Sequence, residues 1–210
     1  MRERSAGLRR VGFGELLADE HRRTRPLGAA EPALRDVELP VEFGFGWDEA
    51  DSADGHWYPQ GICTAANLGA DLVLVSWACD GQAAARITAV DAGAGRYRHI
   101  ELVEPRGERL APVPVHAGGI ACHRGVVYVA DTIRGLRAFA LDGLVADGER
   151  VVWGQSAIHR LPIWRILLGR GPRFSFVSQS EGRFLSGEYR RERPARIVEG
   201  DAPGCDALSL

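Results

Sequence analysis

The chain has 210 residues, a formal net charge of −2, and 45% hydrophobic and 26% charged residues, the balance of an ordinary globular protein. That charge leaves no electrostatic footprint for nucleic acid, and no apolar run approaches the roughly 18 residues that a membrane span requires. All 26 basic residues are arginine, which excludes Schiff-base chemistry on a lysine and a Walker-type phosphate loop.

The N-terminal stretch MRERSAGLRRVGFGELLADEHRR is basic and lacks the apolar core and cleavage site of a secretory signal. As written, the chain is expected to remain cytoplasmic. Gly14 to Arg23 reads as a short helix, with Leu16 and Leu17 on its apolar side and Arg22 and Arg23 near its end, where cations suit the helix dipole. Residues 24–36 read as a linker containing Pro and Ala, so residues 1–36 are set apart as a helical or disordered segment. Val37 to Trp47 alternates as an edge strand would, and Pro40 suits an edge. Asp48 to Gly55 carries four acids in eight residues and is expected to be a solvated loop.

From Tyr58 onward three stretches can be laid over one another at a spacing near 57 residues, beginning at Tyr58, His116 and Phe174. Gly61-Ile62 and Gly119-Ile120 each open a short apolar strand in the first two copies. A loop with Gly or Asn follows, then an apolar run ending small-then-polar at Val75-Ser76, Ala130-Asp131 and Gly187-Glu188. Alternating strands come next, at residues 86–90 and 136–141, and the first copy has room for a fourth at 97–103. Four short strands in a unit of about 40–50 residues mark a propeller blade. The expected fold is therefore mainly β: a partial β-propeller of about three four-stranded antiparallel blades over residues 37–210, with blades near 57–105, 112–155 and 165–200. Closed propellers take about 4–8 blades. Three blades imply a truncated product of a longer gene, a half-ring completed by a second chain or a homodimer, or a small open assembly; the first is the favoured expectation.

The cysteines, Cys63, Cys79, Cys122 and Cys205, form no CxxC pair and no zinc spacing. Cys63 and Cys122 read as small buried strand residues. A Cys63–Cys79 bridge within one blade is the alternative in an oxidising compartment.

The stretch GGIACHRGVVYVADTIRGLRAF resembles the blade pattern of NHL-type six-bladed propellers. The order YPQGI, ITAVD, YRHIELVEP, HAGGI, YVADT, GLRAF, SGEYR is similar to that of uncharacterised, often secreted bacterial propeller-like proteins. The resemblance covers about residues 57–198 and implies a fold more than an activity. Propeller enzymes of the gluconolactonase and paraoxonase kind are similar in fold and hold calcium with Asp, Glu and Asn oxygens in the central channel.

Blade geometry puts the start of each first strand nearest the channel, so Tyr58, Gln60 and His116 are the candidate ligand-facing residues. His116 either acts as a base or ligand there, or bonds to a neighbouring blade as a structural histidine. Asp131 and Glu188 share a repeat position and are the candidate metal ligands; the competing reading has Asp131 capping the turn of YVADT through backbone amides. With Asn67 the single asparagine, a calcium cage is poorly supplied, and no cofactor is expected apart from that calcium. The arginine- and aromatic-bearing stretch WRILLGRGPRF, beginning at Trp164, reads as a connection with one buried strand. Two functions follow: a binding scaffold without catalysis, for a small-molecule ligand that the residues do not identify, or a divalent-cation-dependent lactonase or esterase at the propeller axis.

Overall fold

The structure, a computed structural model, describes residues 8–18, 22–27, 34, 36, 38, 40–41, 43–81, 84–107, 109–147, 150–159, 173–189 and 195–201. In chain order the N-terminal part contributes β1 (Arg9–Arg10), α1 (Phe13–Leu16), β2 (Arg22–Arg23), β3 (Arg25–Pro26), β4 (Phe45–Gly46) and α2 (Glu49–Ala53). The helix expected over 14–23 is only one turn long. Phe13, Leu16 and Leu17 are buried, and the chain is then drawn into β2 rather than continuing as a helix too short to hold itself. Of the edge strand expected over 37–47, the described residues show β4, which pairs with β3 inside the stretch read as linker.

Three antiparallel meanders follow. The first is β5 (Trp57–Thr64), β6 (Val73–Cys79), β7 (Ala85–Asp91) and β8 (Arg96–Arg106), with β9 (Arg109–Pro112) folding back on β8. The second is β10 (Ile120–His123), β11 (Val126–Asp131), β12 (Gly135–Ala140) and β15 (Ala157–His159). Between β12 and β15 the chain leaves to make the hairpin β13 (Leu144–Asp147) and β14 (Arg150–Gly154). That hairpin joins the first sheet instead, β14 running parallel to β8 and β1 closing the far edge on β13. The third meander is β16 (Phe176–Ser180), β17 (Arg183–Gly187) and β18 (Ile197–Asp201). The protein is thus mainly β, with several sheets among the described residues and none closed into a barrel.

The second sheet is the middle layer, and β11 shows why. Side chains alternate across a strand: Val127 and Val129 enter one core with Leu74, Ile87 and Ile100 of the first sheet. Val126, Tyr128 and Ala130 enter the other, against Val177 and Phe184 of the third. A strand buried on both faces needs an unbroken apolar run, and VVYVAD supplies it.

Turn chemistry carries the repeat. His123 and Val126 are joined by Arg124 and Gly125, both at positive φ (45° and 77°), and Ser180 and Arg183 by Glu181 and Gly182, at 50° and 80°. These two-residue loops have the primed-turn twist that suits hairpins, and they lie 57 residues apart. The first meander instead uses a longer loop with a 3-10 turn at Ala66–Leu68. That insertion shifts the register by one. Ser76 stands opposite Gly61, whereas Gly119 accepts a hydrogen bond from Ala130 N. Asp131 and Glu188 therefore correspond to each other, but their partner in the first unit is Trp77, not Ser76.

The inner strands β5, β10 and β16 lie side by side. A Cβ on Gly61 would fall 2.8 Å from Gly119 Cα, and one on Gly119 would fall 2.4 Å from Val177 N. The Gly-Ile openings are where neighbouring backbones touch. Ser76 Oγ accepts from Gly61 N and donates to the Ala117 carbonyl at 2.8 Å, tying the first sheet to the approach of β10. No helix among the described residues is long and apolar enough to cross a membrane; the stretch from Trp164 lies outside the described residues up to Pro172.

Candidate functional site

Among the described residues a dense polar cluster grows from the segment expected to be a solvated acidic loop. Asp48 caps α2, its side chain accepting from Asp51 N at 2.8 Å, and this turn drives the Asp51 side chain inward, where it is buried. There its carboxylate accepts from Tyr97 Oη at 2.6 Å, His99 Nε2 at 2.8 Å and Arg22 Nη1 at 3.0 Å, with Arg86 Nη2 at 3.5 Å. Period-two alternation on β8 puts Tyr97, His99 and Glu101 on one face, and the β7 pairing sets Thr88 directly opposite His99.

Protonation states follow from these contacts. Burial alone would raise the Asp51 carboxyl, but the hydrogen bonds from His99 and Tyr97, with the nearby charge of Arg22, outweigh it and hold the group well below the carboxylate range. Burial pushes the His99 imidazole down, only partly offset by Asp51. A neutral ring beside an ionised carboxylate carries its proton on Nε2, so Nδ1 accepts from Thr88 Oγ1 at 2.7 Å. Asp51, His99 and Thr88 thus form an acid–imidazole–hydroxyl chain of the kind that activates nucleophiles. Thr88 is 0% exposed, so its hydroxyl meets no substrate. Both imidazole nitrogens are engaged, leaving no lone pair for a base or a metal.

Beside this chain lies a cavity of about 420 Å³ lined by Trp57, Arg86, His99, Glu101, Pro112 and Arg150. The Arg86 guanidinium is held between the rings of Trp57 and Trp77, 4.4 and 4.7 Å from their centroids. Its Nε has no hydrogen-bond partner. Arg150 is paired with Glu101 at 2.5 Å. The cavity offers an aromatic wall and guanidinium edges, a surface for holding a ligand.

The residues singled out from the sequence lie elsewhere. Tyr58, Gln60 and His116 are exposed. Gln60 borders an apolar cleft with Leu27, Phe43, Phe45, Trp47 and Ile62. Among the described residues no hydrogen bond or ring contact joins the three. Asp131 Oδ1 accepts from the amides of Ile133 and Arg134, capping the turn after YVAD, and its Oδ2 accepts from Arg137 Nε at 2.8 Å. Glu188 accepts from Arg196 Nε and from Arg173 N, both at 2.9 Å. Each acid is already neutralised by an arginine, in separate sheets, and the described residues contain no group of three or more His, Cys, Asp or Glu that could hold a metal. These acids do not fit calcium. Cys79 stands opposite Trp57 while Cys63 stands opposite Leu74. Five residues of β6, roughly 17 Å, separate Cys79 from the residue opposite Cys63, too far for a bridge within one blade.

Asp51, His99, Arg86 and Thr88 are not among the residues the repeat singles out. The cap signature at Asp48 and the shared face of Tyr97 and His99 are legible in the sequence, but the first is hidden by the acidic density of 48–55 and the second has no repeat-equivalent pair. Comparisons with protein families, with curated proteins and with solved structures find nothing that matches this chain.

Proposed function

We propose that the chain is an arc of a propeller-type binding scaffold, akin to the NHL and gluconolactonase-type propellers that its repeat resembles, and that it acts by holding a ligand rather than by catalysis. One observation carries the reading. Gly119 receives β5 on one side and β16 on the other, so the meanders succeed one another about a common inner edge as blades do.

The polar chemistry favours binding. The imidazole of His99 is tied at both nitrogens, and the acids at the equivalent repeat positions are tied to arginines. The lactonase alternative needs free oxygen ligands at those positions. The arc also leaves two apolar ends: Ile62 is 68% exposed at the first sheet and Ile197 64% exposed at the third. A second copy docking head to tail would cover both ends and close a ring.

Two measurements test this. Light scattering is expected to give about twice the 22.8 kDa chain mass, and a stable monomer would remove the ring built from two copies. The melting curve is expected to be the same in millimolar calcium and in EDTA, with no lactone hydrolysed. Calcium-dependent stabilisation together with lactone turnover would overturn the scaffold reading in favour of the hydrolase.

A further inference from the structure

We propose that Cys63 and Cys122 form a reversible disulfide that fastens the inner strand of the first sheet to the inner strand of the second. Neither Cys63 on β5 nor Cys122 on β10 is in a disulfide. Their sulfurs lie 3.3 Å apart and share a hydrogen bond. A disulfide needs about 2.05 Å, so bonding asks for a closure of little more than 1 Å between side chains already in contact. The close approach at Gly61, two residues before Cys63 on β5, and Gly119, three residues before Cys122 and just ahead of β10, is what sets this distance.

The two thiols are unlike in a way that orders the reaction. Cys63 is half-buried and Cys122 is buried, and both border a small cavity of about 190 Å³ with Thr64, Ser178 and Gln179. The hydrogen bond with Cys63, and then burial, push the Cys122 thiol far above its ordinary range. Cys122 is thereby a poor first nucleophile, since the thiolate is the reactive form. Cys63 meets the oxidant, which is a small-molecule disulfide, R–S–S–R.

The Cys63 thiol gives its proton to solvent, and its sulfur attacks one sulfur of R–S–S–R. This forms Cys63–S–S–R and releases R–S⁻, which takes up a proton. Cys122 then loses its proton to solvent, and its sulfur attacks Cys63 Sγ. The second R–S⁻ leaves and is protonated. Two protein thiols lose two electrons, and one R–S–S–R gains them to become two R–SH. The bond closes a span of 59 residues and adds a covalent link to two sheets already joined by packing and by the Ser76 and Arg137 hydrogen bonds, so its main effect is to restrict the unfolded chain.

The test uses the full-length reduced chain, incubated under native conditions with cystamine and mapped as non-reduced peptides. The expected product is a Cys63–Cys122 linked pair, with two of the four thiols lost, reversal by dithiothreitol, and a melting temperature raised by roughly 5–15 °C. A C79S/C205S variant, which retains only this pair, is expected to behave in the same way. In C63S, Cys122 is expected to stay reduced until the chain is unfolded. A product that stops at a Cys63 mixed disulfide, a bridge to Cys79 or Cys205, or a bridge between two chains would overturn the proposal.

Discussion

Gly61 and Gly119 touch backbone to backbone: a Cβ placed on Gly61 would stand 2.8 Å from Gly119 Cα and 3.0 Å from Ile120 N. Gly119 is the tighter of the two, because a Cβ there would meet Val177 N at 2.4 Å and Phe176 Cα at 2.7 Å. These atoms belong to backbone, which cannot swing aside as a side chain would. Gly119→Ala is therefore expected to cost about 1–3 kcal/mol or somewhat more, the range of an overpacked core, read as a lower urea midpoint. Gly200→Ala is the control, since a Cβ there meets nothing within 4 Å, and it is expected to stay within about 0.5 kcal/mol. Equal effects at the two positions would show that the Gly119 contact is not tight enough to matter for stability.

Asp51 holds together residues from three strands: Arg22 of β2, Arg86 of β7, and Tyr97 and His99 of β8 meet on a carboxylate supplied by α2. Asp51→Asn keeps the shape and removes the charge, leaving the buried Arg86 without its counter-ion. Breaking a buried pair from one side costs about 3–5 kcal/mol. The variant is expected to unfold at correspondingly lower urea while retaining a β-type far-UV spectrum. A loss below about 1 kcal/mol would mean that solvent replaces the carboxylate, and that Asp51 is not the hub.

The same cluster fixes the sign of the pH response. His99 is held below its ordinary value by burial, so between its folded and unfolded values the unfolded chain binds more protons. Its contribution is complete above about pH 6.5 and is lost as pH falls from there. Asp51, also lowered, contributes above the unfolded carboxylate value near pH 4 and loses that contribution as pH falls further. Stability is thus expected to decline in two stages on acidification. His99→Gln, which keeps an N–H donor for Asp51, is expected to flatten the first stage, by at most about 1.4 kcal/mol per pH unit. Parallel profiles for wild type and variant between pH 5 and 6.5 would assign that stage to another group, such as His123, whose imidazole burial also lowers.

What could be read from the sequence was what repeats. The alternation at 86–90 and 97–103 and the run VVYVAD each express a local period, and each lies in a strand; the Gly-Ile openings lie within β5 and at the start of β10. What escaped was long-range. Nothing in WDEADSADG says that Asp51 will meet a histidine 48 residues away, because the acid is delivered by a cap and received by a strand face. The hairpin 144–154 escaped for the same reason: its strands look like the end of the second unit, yet β14 finds a parallel partner in β8. The one-residue slip at Ser76 came from a loop whose extra length a spacing count absorbs silently.

Arg137 is the second buried hub and offers the sharpest test of how the first two sheets are joined. It is 0% exposed; its Nε donates to Asp131 at 2.8 Å, and its Nη1 donates to Glu104 of β8 at 3.0 Å and to Gln155. One guanidinium thus ties the turn that ends β11 to the first sheet. Arg137→Met fills much of the same volume but leaves the buried Asp131 carboxylate without its counter-ion, so a loss of about 3–5 kcal/mol is expected. Glu104→Gln alone should cost less, because Arg137 keeps Asp131 and the exposed Arg106 is the other partner of Glu104. If the bridge between sheets is energetically real, the double variant will lose less than the two single losses added together, with a coupling of about 0.5–3 kcal/mol. Strict additivity in the urea midpoints would show that the sheets are held by their apolar faces alone, and that the Arg137–Glu104 contact follows from the packing instead of supporting it.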